Sequence, residues 1–133
     1  MPDDPFAELL AEATAGRARF GHREHVHLTW LAVRRGGRSA AMDLVSDGIR
    51  RTARYAGAPQ KYSATVSRAW VEIVAHHAAG TPTDDFAEFA AANPEVLDKR
   101  LLTRFYAPAT LAAAPARTGW VRPDREPFPF PVD

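Results

Sequence analysis

His22-Arg23-Glu24-His25-Val26-His27-Leu28-Thr29-Trp30-Leu31-Ala32-Val33-Arg34 runs without a breaker into Arg35-Gly36-Gly37, and its reading decides the fold. At about 100° per residue Val26, Trp30 and Val33 share one helical face, which predicts a helix from about His22 to Arg34 that stops at the glycine pair. His22, His25 and Thr29 follow one another beside that stripe on the i, i+3, i+4 rows, so His22 and His25 can converge on one point. His27 projects to the other side with Leu28 and Leu31, and those two leucines are expected to be exposed.

Outward from this segment every turn signal fits helices joined by short loops. Asp4 before Pro5 is a good cap and first helical residue for a segment from Phe6 to Thr14 that runs until Gly16. Ser39 caps a third helix with Met42, Val45 and Ile49 on its apolar side, ending at Gly57 and Pro59. The fourth starts near Tyr62 or Ser63 and ends at Gly80. Thr81-Pro82-Thr83-Asp84 opens a short helix containing Phe86 and Phe89. Asn93-Pro94-Glu95 opens another, with Val96, Leu97, Leu101, Leu102 and Phe105 as core candidates, and a last one covers Ala109 to Ala114 before Pro115.

From Trp120 onward the prolines remove backbone donors and forbid helix, so an extended segment is expected, docked through Phe128 and Phe130. No hairpin turn between alternating apolar residues and no fixed-period repeat occurs. Gly36-Gly37 lacks the spacing and flanking strand of a phosphate-binding loop. The expectation is an all-α fold: a single compact bundle of five to seven helices over residues 1–119, with a Pro/Phe tail, 120–133, packed on it.

At 133 residues and 46% hydrophobic content the chain can fill one core without staples. The absence of cysteine removes disulfides, a thiolate nucleophile and Cys-ligated zinc. Seventeen basic residues against sixteen acidic leave a formal charge of +1, far from the excess of a nucleic-acid binder. No segment approaches the roughly 20 apolar residues of a membrane span, and the N-terminus lacks a basic region followed by an apolar run. A cytoplasmic protein without nucleic-acid or membrane partners is expected, and exposed Leu28 and Leu31 suggest a homodimer.

Histidine titrates near neutrality and is the commonest metal ligand, so the His22/His25 pair is the first candidate for chemistry. The plain alternative is that these imidazoles cap, pair with Glu24 or Glu72, or sit half-exposed. A second wall comes from Lys61-Tyr62-Ser63-Ala64-Thr65 and the helix after it. There Val66, Trp70, Ile73 and His77 form the expected core face, and Thr65, Ala69, Glu72 and His76 an adjacent polar strip. Two such strips packed together would enclose a small-molecule pocket. Glu72 and His76 can equally be a solvated pair, Lys61 an ordinary surface lysine, and Trp30 and Trp70 core residues. Arg34, Arg35, Arg38, Arg50, Arg51 and Arg54 are expected to form a solvated face.

The pattern Phe20-x-His22-x-x-His25-Val26, then Trp30, then Lys61-Tyr62 with Thr65 and Trp70, resembles a family of small bacterial helical proteins of uncharacterised function. The resemblance spans roughly Phe20 to Val74, with a looser echo at Asn93-Pro94 and Arg104-Phe105-Tyr106. In that family a histidine commonly follows Lys-Tyr; Ser63 stands there in this chain. A three-histidine metal site, if the family builds one, would here lack a ligand.

The preferred expectation is a small-molecule enzyme in a tailoring step of bacterial specialised metabolism, catalysing isomerisation, elimination or cyclisation by histidine acid/base chemistry. His22, His25 and Glu72 are its catalytic candidates. Thr29, Trp30, Lys61, Tyr62, Thr65 and Trp70 are its substrate-binding candidates. This reading requires no cofactor. One alternative is a mononuclear zinc or iron enzyme with His22, His25 and His76 or Glu72 as ligands. Another is a non-catalytic module that binds a protein through its Pro/Phe tail.

Overall fold

The computed structural model describes residues 4–15, 21–55, 57–58 and 61–132, and no strand occurs among them. Helices α1 (Pro5–Ala13), α2 (His22–Tyr55), α3 (Ala64–Ala79), α4 (Phe86–Ala92), α5 (Pro108–Ala112) and α6 (Ala114–Thr118) form an all-α bundle. Two 3₁₀ segments, Pro94–Leu97 and Lys99–Arg104, lie between α4 and α5. Gly16, Phe20 and Pro59, singled out in the sequence, lie outside the described residues.

α2 is two rods joined at one residue. Gly37 alone departs from helical backbone, at φ 83° and ψ 174°, a combination that essentially only glycine adopts. Along an unbroken helix His25 and Ile49 would stand about 36 Å apart. They line one cavity instead, so the chain doubles back at Gly37 and brings residues 22–36 alongside residues 38–55. The second rod begins at Arg38, immediately after Gly37, so the new helix expected near Ser39 is present and the exposed Ser39 lies in its first turn instead of capping it. α3 runs antiparallel to the second rod: Ser46 meets Ser67 near the start of α3, whereas Arg38, earlier in the rod, meets Glu72 later in α3.

The nine-residue α1 is too short to hold itself helical in water and depends on its apolar face. Phe6, Leu9 and Ala13 are buried, and burying the first two contributes roughly 3–6 kcal/mol. Phe6 lies so close to α2 that a Cβ at Gly48 would come within 2.1 Å of its ring. Ion pairs from Asp4 to Arg51 and from Glu12 to Arg35 flank this contact. Leu28 and Leu31 are buried, correcting the expectation that they are exposed and removing the ground for a dimer. The first rod is covered on more than one side, so a single apolar stripe underestimates its burial.

The same correction applies to α3. Ser63 caps it by accepting from the Val66 N–H, and Gly80 ends it. Every residue from Ala69 to Val74 is buried, a pattern that belongs to a helix enclosed by neighbours. At its C-terminal end His77 Nδ1 pairs with the Asn93 side-chain oxygen at 3.0 Å. The Asn93 amide nitrogen donates to Thr81 Oγ1 and the Phe89 carbonyl, which ties α3 to α4.

Boundaries shift where local caps compete. Asp85, rather than the Thr81–Asp84 stretch, caps α4 by accepting from the Ala87 N–H. Asn93-Pro94-Glu95 opens a 3₁₀ turn, not an α-helix, because Asp98 returns to extended backbone and caps a second turn through the Arg100 N–H. Val96, Leu102 and Phe105 are buried there, with Leu97 and Leu101 half-buried. The last expected helix ends at Ala112, where Ala113 turns extended, and Pro115 sits in the first turn of a new helix, α6, where a missing N–H costs nothing.

Beyond α6 the chain is extended and fastened to the bundle. Thr65 Oγ1 donates to the Gly119 carbonyl at 2.6 Å and accepts from the Val121 N–H at 3.0 Å. Tyr106 donates to the Val121 carbonyl at 2.7 Å, and burial pushes its phenol pKa well above the usual range. Phe128 is buried against Phe105 and Tyr106, and the Arg68 guanidinium lies 4.3 Å from the Trp120 ring centroid. No helix among the described residues is long and apolar enough to cross a membrane.

A Cβ added at Gly37 meets nothing within 4 Å, so Gly37→Ala tests the backbone conformation alone. The substitution is expected to lower unfolding free energy by about 1–3 kcal/mol in urea titrations. Gly80→Ala, at ordinary helical dihedrals, is the control and should change it by less than about 0.5 kcal/mol. Equal midpoints for the two variants would refute the role of the break.

Candidate functional site

A cavity of about 430 Å³ opens where the two rods of α2 meet the start of α3. The first rod supplies His22 and His25, and the second supplies Ile49. Lys61, Tyr62 and the cap residue Ser63 approach it from the connection before α3. Val66 and Ser67, on the first turns of α3, complete the wall. Such a mixture of apolar surface and a few convergent polar groups is the usual make-up of a small-molecule site.

The two imidazoles differ in their surroundings. His22 Nε2 lies 2.9 Å from the Val96 carbonyl, which can only accept, so this nitrogen carries the proton and Nδ1 is left as the basic one. The edge of its ring meets Trp70 at a centroid distance of 4.6 Å, which fixes the ring's tilt. Burial lowers the His22 pKa below its ordinary value, while the Val96 carbonyl and Asp98 pull it upward and Lys99 pushes it down. His25 stands 6.3 Å from His22 between ring centroids. Burial, followed by the neighbouring His22, lowers its pKa to about 4, so it is uncharged at neutral pH.

Lys61 and Tyr62 share the cavity with the two histidines, but the other catalytic and substrate-binding candidates do not line it. Thr29 is fully buried and its hydroxyl donates to the His25 carbonyl within the helix. Trp30 is packed against Phe86 and Phe89 beneath Arg34. Trp70 reaches the site only by supporting His22. Thr65 is spent on the tail.

Glu72 and His76 belong to a second cavity, of about 450 Å³, between α2, α3 and the tail. The Glu72 side chain is 1% exposed, and Arg38 Nη1 donates to both its oxygens at 2.8 and 3.1 Å. Arg68 stands 3.6 Å away on the same helix. This corrects the expected juxtaposition of Glu72 with the histidines: the carboxylate needs a cation to be tolerated inside, and the break at Gly37 delivers Arg38 to it. His76 is exposed and stacks on Phe130 at 4.5 Å. The ligand set His22, His25 and His76 is therefore not assembled. No three His, Asp or Glu side chains are grouped to hold zinc or iron among the described residues.

Several contributors escaped the sequence reading, among them Val66, expected only as a core residue. Val96 and Ile49 enter through tertiary packing, which no local spacing encodes. Ser67 was legible in principle, since it follows Ser63 by one helical turn and therefore shares its face. No protein-family model matches the chain, and no curated protein or solved structure matches it. The chemistry of the cavity therefore carries the functional reading.

The depressed pKa of His25 links its charge to stability. Unfolded, the imidazole protonates near pH 6.5, whereas in the fold it stays neutral to about pH 4. Its stabilising contribution is whole above pH 6.5 and is lost as pH falls toward 4, amounting to about 3 kcal/mol when complete. Urea midpoints measured across this window should fall more steeply for the native sequence than for His25→Gln. Parallel curves would contradict the assignment.

Proposed function

We propose that this protein is a small-molecule enzyme in which His22 acts as general base, with His25 beside it, in the cavity between α2 and the start of α3. The reaction class is isomerisation, elimination or cyclisation begun by proton removal. We place it in the bacterial cytoplasm, in a tailoring step of specialised metabolism, as the resemblance of the Phe20-x-His22-x-x-His25 and Lys61-Tyr62-x-x-Thr65 segments implies.

The observation that carries this reading is the 2.9 Å hydrogen bond from His22 Nε2–H to the Val96 carbonyl, which commits one nitrogen and leaves the other basic. A base held in one tautomer beside a cavity has what proton transfer requires. In the proposed step Nδ1 takes a proton from a carbon next to a carbonyl group, and the C–H electron pair moves into that carbonyl. Burial and Lys99 disfavour the resulting imidazolium, the Val96 carbonyl and Asp98 partly offset this, and neutral His25 presents no like charge against it. Return of the proton to a different atom completes an isomerisation. Expulsion of a leaving group completes an elimination, and attack within the molecule completes a cyclisation.

Deuterium exchange tests the base without knowledge of the substrate. The protein is incubated in D2O with a panel of small aldehydes, ketones and oxo acids, and loss of the C–H signal next to the carbonyl is followed by NMR. Protein-dependent exchange is expected for at least one compound, reduced by about 10²-fold or more in His22→Ala. It should persist in His76→Ala. Absence of exchange throughout, or its survival in His22→Ala, would overturn the proposal.

A further inference from the structure

The charge and hydrogen-bond inventory of the cavity restricts what it can hold, and this step rests on the functional reading above. Among the described residues that line it, Lys61 carries the single formal charge at neutral pH, and no carboxylate takes part. The serine hydroxyls are already engaged. Ser63 Oγ donates to the Ala116 carbonyl and accepts from the Val66 N–H, while Ser67 Oγ shares a hydrogen bond with Ser46 Oγ at 3.1 Å. The Nε2–H of His22 is committed to Val96. A cationic ligand would therefore meet Lys61 with no counter-charge among the described lining residues.

The remaining polar groups of the lining are the Lys61 ammonium, the imidazoles of His22 and His25 and the Tyr62 hydroxyl, beside apolar surface at Ile49 and Val66. We infer that the cavity binds a small organic acid, with the carboxylate on Lys61, the carbon skeleton on Ile49 and Val66, and the labile C–H toward His22. A 2-oxo acid carries both groups the reading asks for, its acid group and its acidified C–H flanking the same carbonyl. Lys61 is exposed, so its ion pair is screened by water and salt and supplies selectivity more than affinity. Its role is to orient the acid so that the opposite end reaches the imidazole.

Matched probes separate this inference from the functional reading. 2-Oxobutyrate and 2-oxobutanamide, and benzoate and benzamide, are titrated while the imidazole C–H resonances of His22 and His25 are followed by NMR. Each acid should bind about fivefold more tightly than its amide, and the ratio should shrink as sodium chloride is added. Lys61→Gln should bring the ratio close to one, and Lys61→Arg should retain most of it. Equal binding of acid and amide, a ratio unchanged in Lys61→Gln, or no response to either acid would overturn the inference. Deuterium exchange of neutral ketones that depends on His22 would leave the general-base reading standing in each of those cases.

Discussion

A single backbone conformation, the left-handed extended state of Gly37, is the constraint on which the rest of the molecule depends. It turns what would be one rod into two that lie side by side, and each later feature uses the resulting geometry. Ile49 joins His25 at one cavity. Arg38, the next residue after the break, is brought to Glu72. α1 then docks across the doubled helix through Phe6, with Gly48 making room for the ring. An L-residue at position 37 would have to adopt strained dihedrals for all three arrangements to survive.

Burial of Glu72 is the electrostatic counterpart of that turn. A carboxylate this enclosed is tolerated only with cations in place, and it receives one from across the break and a second from its own helix. The pair is weak evidence for stability as such, but it is selective: another way of folding α2 back would leave the anion inside α3 without Arg38. The histidine cavity is governed by the opposite rule. Burial disfavours charge on both imidazoles and keeps His25 neutral at neutral pH, so the lining is weakly polar with one ammonium group among its described residues.

The sequence was legible where a signal is local. Gly36-Gly37 announced the end of the first rod, Ser63 and Gly80 bounded α3, and the spacing of His22 and His25 put their rings within 6.3 Å of each other. It misled where a helix is covered on several sides. A helical wheel divides residues into one buried face and one solvated face, and this division exposed Leu28 and Leu31 and turned Glu72 toward the wrong neighbour. The wheel carried no information about which helix would cover which face. Thr65 illustrates the same limit, since its two partners lie more than fifty residues away in the tail. Asn93-Pro94-Glu95 reads as a helix start, but the choice between α and 3₁₀ turned on Asp98, a few residues further on.

α3 serves as the common ruler of the molecule: Ser63, Val66 and Ser67 face the cavity, Thr65 grips the tail, and Trp70 and Glu72 engage the two rods of α2. Inserting or deleting one residue between positions 63 and 72 would rotate one end against the other by about 100° and shift it by 1.5 Å. Some of those attachments would then be lost whichever end adjusted. Length variation during evolution should be barred from this stretch and admitted at the 82–84 connection, beyond the Thr81 that Asn93 holds, where added residues leave every one of these partners in register.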